Sequence, residues 1–112
     1  MTTRRDVGKT AESLATKKLK ECGYKIIARN WRCRYGELDC AALKDGCLAI
    51  IEVKSGEGEL PYEKIDRRKQ RRLKLLAEMF ADSRGLTGLP VRFDAAIVNL
   101  ANKHVEILEN AF

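Results

Sequence analysis

Histidine is nearly absent from this sequence: His104 is the single one, and the four cysteines, Cys22, Cys33, Cys40 and Cys47, form no Cys-x-x-Cys pair. The usual ligand spacings of a zinc site are therefore missing, and the thiols read as small, buried and reduced. No apolar run approaches the roughly 18 residues of a membrane span. The opening Met-Thr-Thr-Arg-Arg-Asp lacks the apolar segment of a secretory signal. There is no internal repeat and no low-complexity segment. These absences together lead to the expectation of a cytoplasmic protein with no membrane partner. The length of 112 residues suits one domain and one core, spanning 1–112, and is too short for two.

Positive charge, in contrast, is plentiful. Lys and Arg number 22 against 16 Asp and Glu, a net charge of +6. A basic chain points to an anionic partner, with nucleic acid the leading class, although charge carries no information about fold.

The chain is organised around residues 36–54. Two runs rich in apolar residues flank Asp45-Gly46, a dipeptide suited to a type I′ hairpin turn because both residues tolerate positive φ. With that turn, facing residues sum to 91, so Asp39 falls opposite Glu52 and Glu37 opposite Lys54. Period-two alternation then puts all four on one face, beside Ala41, Leu43, Leu48 and Ile50. Leu38, Cys40, Ala42, Ala49, Ile51 and Val53 form the other face. A hairpin apolar on both faces belongs in the middle of a covered sheet. Two acids facing each other at its end repel, and a break in local rules of this kind marks a functional site. A divalent cation such as Mg²⁺, which takes carboxylate oxygens and keeps waters for substrate phosphates, would resolve the repulsion. The alternative is a salt bridge between Lys54 and one of the acids at a sheet end.

The rest of the chain supplies helices and strands around this hairpin. Residues 6–22 carry Val7, Ala11, Leu14, Ala15, Leu19 and Cys22 at helical spacing, with Asp6 as the expected N-cap and Gly23 beyond the end. Residues 24–30 read as a strand. Residues 31–35 mix cations with aromatics. Arg32 and Arg34 are candidates for phosphate contact or plain surface arginines, and Trp31 reads as a core anchor. Residues 55–61 form a loop next to the acids, containing Glu57 and Glu59. Residues 62–82 read as a second helix, with Ile65, Leu73, Leu76, Met79 and Phe80 as its apolar stripe. Lys64, Arg67, Arg68, Lys69, Arg71, Arg72 and Lys74 place seven cations within eleven residues, enough to attract a polyanion. Strands follow at 91–100 and 105–108. Arg92 and Asp94 have two readings, an internal contact, which is at least as well supported, and a catalytic one, and His104 reads as exposed in a turn. The order is α-β-β-β-α-β-β. It gives an α/β domain whose first three strands form an antiparallel meander, with strand four returning in parallel through the second helix, and helices against the sheet faces.

Asp39, twelve intervening residues and Glu52-Val53-Lys54 resemble the PD-(D/E)xK nuclease signature. Gly36-Glu37-Leu38-Asp39, Arg29-Asn30-Trp31-Arg32, Arg92-Phe93-Asp94 and the terminal Asn110-Ala111-Phe112 extend the likeness. Taken together, the chain resembles the YraN family, whose fold is similar to that of Holliday-junction resolvases. The resemblance implies a restriction-endonuclease-like core and a metal-dependent endonuclease acting on DNA, with branched or junction DNA among its substrates. It implies Mg²⁺ or Mn²⁺ held by Asp39, Glu52, the Val53 carbonyl and Glu12, with Lys54 acting on the water or the developing charge. It also implies a nucleic-acid surface that includes Lys69 and Gln70 beside Arg67, Arg68, Arg71 and Arg72, and it is compatible with a homodimer. The alternative, from another class, is a nucleic-acid-binding protein that uses the fold without cutting.

Overall fold

The computed structural model describes residues 3–57 and 66–112. Helix α1 (Arg4–Glu21) is followed by strands β1 (Lys25–Cys33), β2 (Gly36–Lys44) and β3 (Cys47–Gly56). Helix α2 (Arg67–Arg84) and strands β4 (Val91–Asn99) and β5 (His104–Leu108) complete the chain. The strands lie in one sheet in sequence order, antiparallel except for the parallel pair β3–β4. The expected element order and crossover are therefore the observed ones.

Helix α1 starts one turn earlier than its sequence suggests. Thr3, not Asp6, is the N-cap: its Oγ1 accepts the Asp6 N–H at 3.1 Å, and Asp6 Oδ2 accepts the Thr3 N–H at 3.2 Å. This reciprocal box satisfies two end amides and places Asp6 in the first turn, where the helix dipole favours an anion. Helix α2 is capped by Asp66 and closes on Gly85 in the left-handed conformation. The expected stripe residue Ile65, with Lys64 and Glu59, lies outside the described residues, as does the side chain of Val7.

The two helices cover opposite faces. On one, Ala11, Ala15 and Leu19 of α1 pack against Cys40, Ala42, Ala49, Ile51, Ala96 and Val98. On the other, Leu73, Leu76, Ala77 and Phe80 of α2 pack against Ala41, Leu48 and Ile50. Trp31 joins the second cluster edge-on to Phe80, with ring centroids 5.5 Å apart, as a core residue should. Strand β1 runs on through Trp31 to Cys33, past the expected end at residue 30, because it pairs with β2 as far as Gly36.

Asp45 (φ 50°) and Gly46 (φ 77°) make the expected turn, and the ladder keeps the predicted register from Lys44↔Cys47 to Cys40↔Ile51. One expectation fails here. Leu38 packs with Ala41, Leu48 and Ile50 under α2, not with Cys40 and Ala42. Leu38 and Ala41, three residues apart, cannot share a face in a strictly alternating strand. Strand β2 therefore departs from regular pleating around Asp39.

Candidate functional site

The departure at Asp39 opens the site. Beyond Cys40↔Ile51 the two central strands part: β2 stays paired to β1 as far as Cys33↔Gly36, and β3 stays paired to β4 as far as Gly56↔Asn99. Asp39 and Glu52 stand on the two lips of this split. Asp39 Oδ2 accepts the Val53 N–H at 2.9 Å, so a carboxylate takes the amide just past the last ladder pair. Both acids are half-buried, and the Glu52 side chain is 12% exposed. Burial, together with a hydrogen bond and the charge of Glu52, pushes the Asp39 carboxyl up from 3.8 to about 7; the Val53 amide and Lys69 oppose the shift but do not cancel it. Asp39 thus keeps its proton until close to neutrality.

Helix α2 overhangs the split. Gly36, Glu37, Asp39, Glu52, Lys69, Arg72 and Leu73 line a cleft of about 420 Å³. Lys69 Nζ lies 3.7 Å from Glu52 Oε1, longer than a direct hydrogen bond, so it balances the acids only in part. Gly36 allows the helix this close. Its φ is +148°, and a Cβ there would come within 3.1 Å of Leu76 Cδ1 and 3.8 Å of Arg72 Cδ. Gly36 and Leu73 are the lining residues that sequence reading did not single out. The glycine in Gly36-Glu37-Leu38-Asp39 was the available signal, but its partners lie on a distant helix.

The other candidates divide between this cleft and elsewhere. Lys54 is half-buried on β3, two residues from Glu52 on the same strand face and in register with Ile97. Val53 packs toward α1 and holds Asp39 through its amide. Glu12 is not among the cleft-lining residues; its Oε2 accepts from Asn30 Nδ2 at 3.0 Å. Glu37 lines the cleft but is bound to Arg32 (Nε–Oε2 3.0 Å), its neighbour across β1 and β2, and has no ladder position opposite Lys54. Arg34 is exposed and lies over the Tyr35 ring at 5.2 Å. Arg67, Arg68 and Arg71 are exposed on α2, and Gln70 is half-buried there.

A second acidic centre is closed to solvent. Asp94 is fully buried, accepts from Tyr24 Oη at 2.7 Å, Arg92 Nε at 3.1 Å and the Asn110 N–H at 2.9 Å, and is ion-paired with Arg92 Nη2 at 3.0 Å. Arg92 also donates to Tyr24 Oη at 3.0 Å. Burial and the adjacent Asp94 drive the Tyr24 hydroxyl pKa upward. Asn110, Ala111 and Phe112 are drawn onto β4 by this network, by the Ala111 N–H to Phe93 carbonyl bond at 2.8 Å, and by contact between the Phe93 and Phe112 rings. The Arg92–Asp94 contact is internal, the first of the two readings its sequence allowed.

The fold and the cleft define a small mixed α/β protein with a paired-carboxylate site beneath a basic helix. The sequence profile of the uncharacterised protein family UPF0102, the YraN family of the resemblance above, matches residues 11–98, and the chain belongs to that family. It is 38% identical to a UPF0102 protein of Moorella thermoacetica, over 98% of both chains. It is 38% identical to one from Persephonella marina over 94% of this chain and 91% of the relative, and 45% identical to one from Thermotoga petrophila over 77% and 80%. Among the described residues, no helix is long and apolar enough to cross a membrane.

Proposed function

We propose that this protein is a divalent-metal-dependent endonuclease that hydrolyses phosphodiester bonds in DNA, with branched or junction DNA as a substrate class. The observation that carries the reading is the Asp39–Glu52 pair: two acids held against each other at the split of the central strands, in a cleft open to solvent and edged by cations. A fold gains no stability from such a pair alone. The donor chemistry fits Mg²⁺ or Mn²⁺, since hard oxygen ligands from two carboxylates, completed by water and substrate phosphate, suit these ions. Asp39 and Glu52 would hold the ion, with the Val53 carbonyl beside them; Glu12, held by Asn30, would have to leave that partner to join. Once bound, the ion would neutralise phosphoryl charge and acidify a water.

The chain's own residues do the rest. The Val53 amide orients Asp39, and a cation held there would displace the proton that Asp39 retains. Lys54, on the same strand face as Glu52, stabilises charge that develops on the phosphate. Lys69 and Arg72 grip the backbone at the cleft, and Arg67, Arg68 and Arg71, with Gln70, extend the contact along α2. Arg32 and Arg34 offer cations on the β1–β2 side.

Incubation with Mn²⁺ and a panel of linear and branched DNAs tests this reading. Cleavage is expected, with none from Asp39→Ala. Lys54→Met should bind DNA nearly as wild type does and cut about 10²–10³ times more slowly in single turnover. A second reading, DNA binding without cleavage, is favoured by one observation: among the described residues no third His, Cys, Asp or Glu joins the pair to complete a metal-binding group. Salt-dependent DNA binding with no cleavage of any substrate selects it.

A further inference from the structure

The α1 side of the molecule carries a second basic groove that the cleft does not use. Lys9, Thr10, Ser13, Leu14, Lys17 and Lys103 line a depression of about 380 Å³. It adjoins another of about 350 Å³, which shares Leu14, Lys17 and Lys103 and adds Lys18, Glu21 and His104. Four lysines therefore face one acid. Among the described residues, none of Lys9, Lys17, Lys18 and Lys103 lies within ion-pair distance of a carboxylate. Lys103 reaches this position because the β4–β5 turn brings it there in a left-handed conformation, φ 60°. Four like charges left without partners lower stability slightly, and the fold gains nothing from gathering them.

We infer that this groove binds a second segment of nucleic-acid backbone, so that one molecule engages two strands or duplexes at once. The inference rests on the reading that the protein binds nucleic acid. Three features favour a polyanion. Lys9 and Lys17, which line the same depression, lie roughly 12 Å apart along the helix, about the rise of three to four phosphates of one B-DNA strand. The polar lining around Leu14 is mainly lysine and hydroxyl, suited to phosphate oxygens and indifferent to base sequence. Among the described residues the exposed large apolar side chains are Tyr35, Leu75 and Val91, none of which lines the groove, and its apolar residue Leu14 is half-buried, not a protruding anchor of the kind that a membrane-binding surface uses. The groove lies on the sheet face opposite α2, so the two segments would be held on opposite sides of the sheet.

The test is a bridging assay, in which the full-length protein, bound to an immobilised duplex, captures a second, fluorescently labelled duplex. Lys9, Lys17 and Lys103 are exposed, so changing all three to Gln leaves the core intact. Wild type is expected to capture the second duplex. The Lys9→Gln/Lys17→Gln/Lys103→Gln variant should bind the first duplex normally and lose capture tenfold or more, on the order expected when several phosphate contacts are removed. Lys17 and Lys103 should also be protected from acetylation by duplex DNA in wild type. If capture is unchanged in the variant, if DNA leaves Lys17 and Lys103 of the wild type unprotected, or if wild type binds one duplex and never a second, the inference is overturned while the cleft reading stands. Bridging by two α2 faces of a dimer would give the first of these results. Capture of an acidic protein but not of DNA at the groove also overturns it. If wild type binds no nucleic acid at all, the proposed function fails and takes this inference with it.

Discussion

Two carboxylates, the fully buried Asp94 and the half-buried Asp39, sit in the same sheet and have opposite surroundings. Asp94 faces a guanidinium, a phenol and a backbone amide, and every contact favours its charge. Asp39 faces another acid, with one amide and a distant lysine in compensation. The first arrangement is a structural lock that ties the chain end and the β1 entrance to β4. The second keeps unsatisfied negative charge at the mouth of a cleft. A charge cluster that is complete in itself reads as architecture, and one that needs an absent cation reads as a site.

The sharpest way to break the comparison is to remove Asp94. Asp94→Ala would leave Arg92 and Tyr24 buried without their acceptor, with only the exposed Glu109, 3.5 Å from Arg92, as a substitute. Breaking a buried pair in this way costs about 3–5 kcal/mol. Urea unfolding should show that loss, while any metal-induced stabilisation of the folded remainder persists. A stability equal to wild type would mean that the network is not a lock.

The cleft should answer to metal instead. Mg²⁺ or Mn²⁺ at about 100 times its Kd should stabilise the wild type by roughly 2.7 kcal/mol, because a ligand that binds only the folded state shifts unfolding by mass action. Glu52→Gln should abolish the rise in Tm. An equal rise in both proteins would place the ion elsewhere.

A smaller effect concerns pH without metal. An acid whose folded pKa is raised keeps its proton in the folded state where the unfolded chain has already lost it. Stability is therefore expected to fall as pH rises from about 4 to about 7 and to level off above, the reverse of a salt-bridged carboxylate. The Asp39 contribution is roughly 2 kcal/mol, discounted for the open cleft. Urea titrations in EDTA at pH 5 and pH 8 should show this difference in wild type and not in Asp39→Asn. A wild-type profile that matches the variant would mean that the Asp39 carboxyl is not raised in the folded state.

The chain order itself determined most of the architecture. The two helices, the Asp45-Gly46 turn, the register down to Cys40↔Ile51 and the parallel return of β4 are set by local pattern: apolar spacing, a dipeptide that accepts positive φ, and a connection long enough to cross over. The same spacing put Asp39 near Glu52, since pairing across a two-residue turn is arithmetic. Only the tertiary structure decided how those acids meet. The strands part where the hairpin arithmetic predicts continued pairing, because β2 follows β1 and β3 follows β4, and no pattern within the hairpin encodes those competing partners. Leu38 changed clusters, and Glu37 turned to Arg32, for that reason. Lys69, Arg72 and Gly36 came together for another: Lys69 lies 33 residues beyond Gly36 in the chain, and the approach of α2 over Gly36 depends on packing of Leu76 that becomes visible only once the helix is docked. Local chemistry follows the order of residues, whereas a site assembled from separate elements depends on how their surfaces fit.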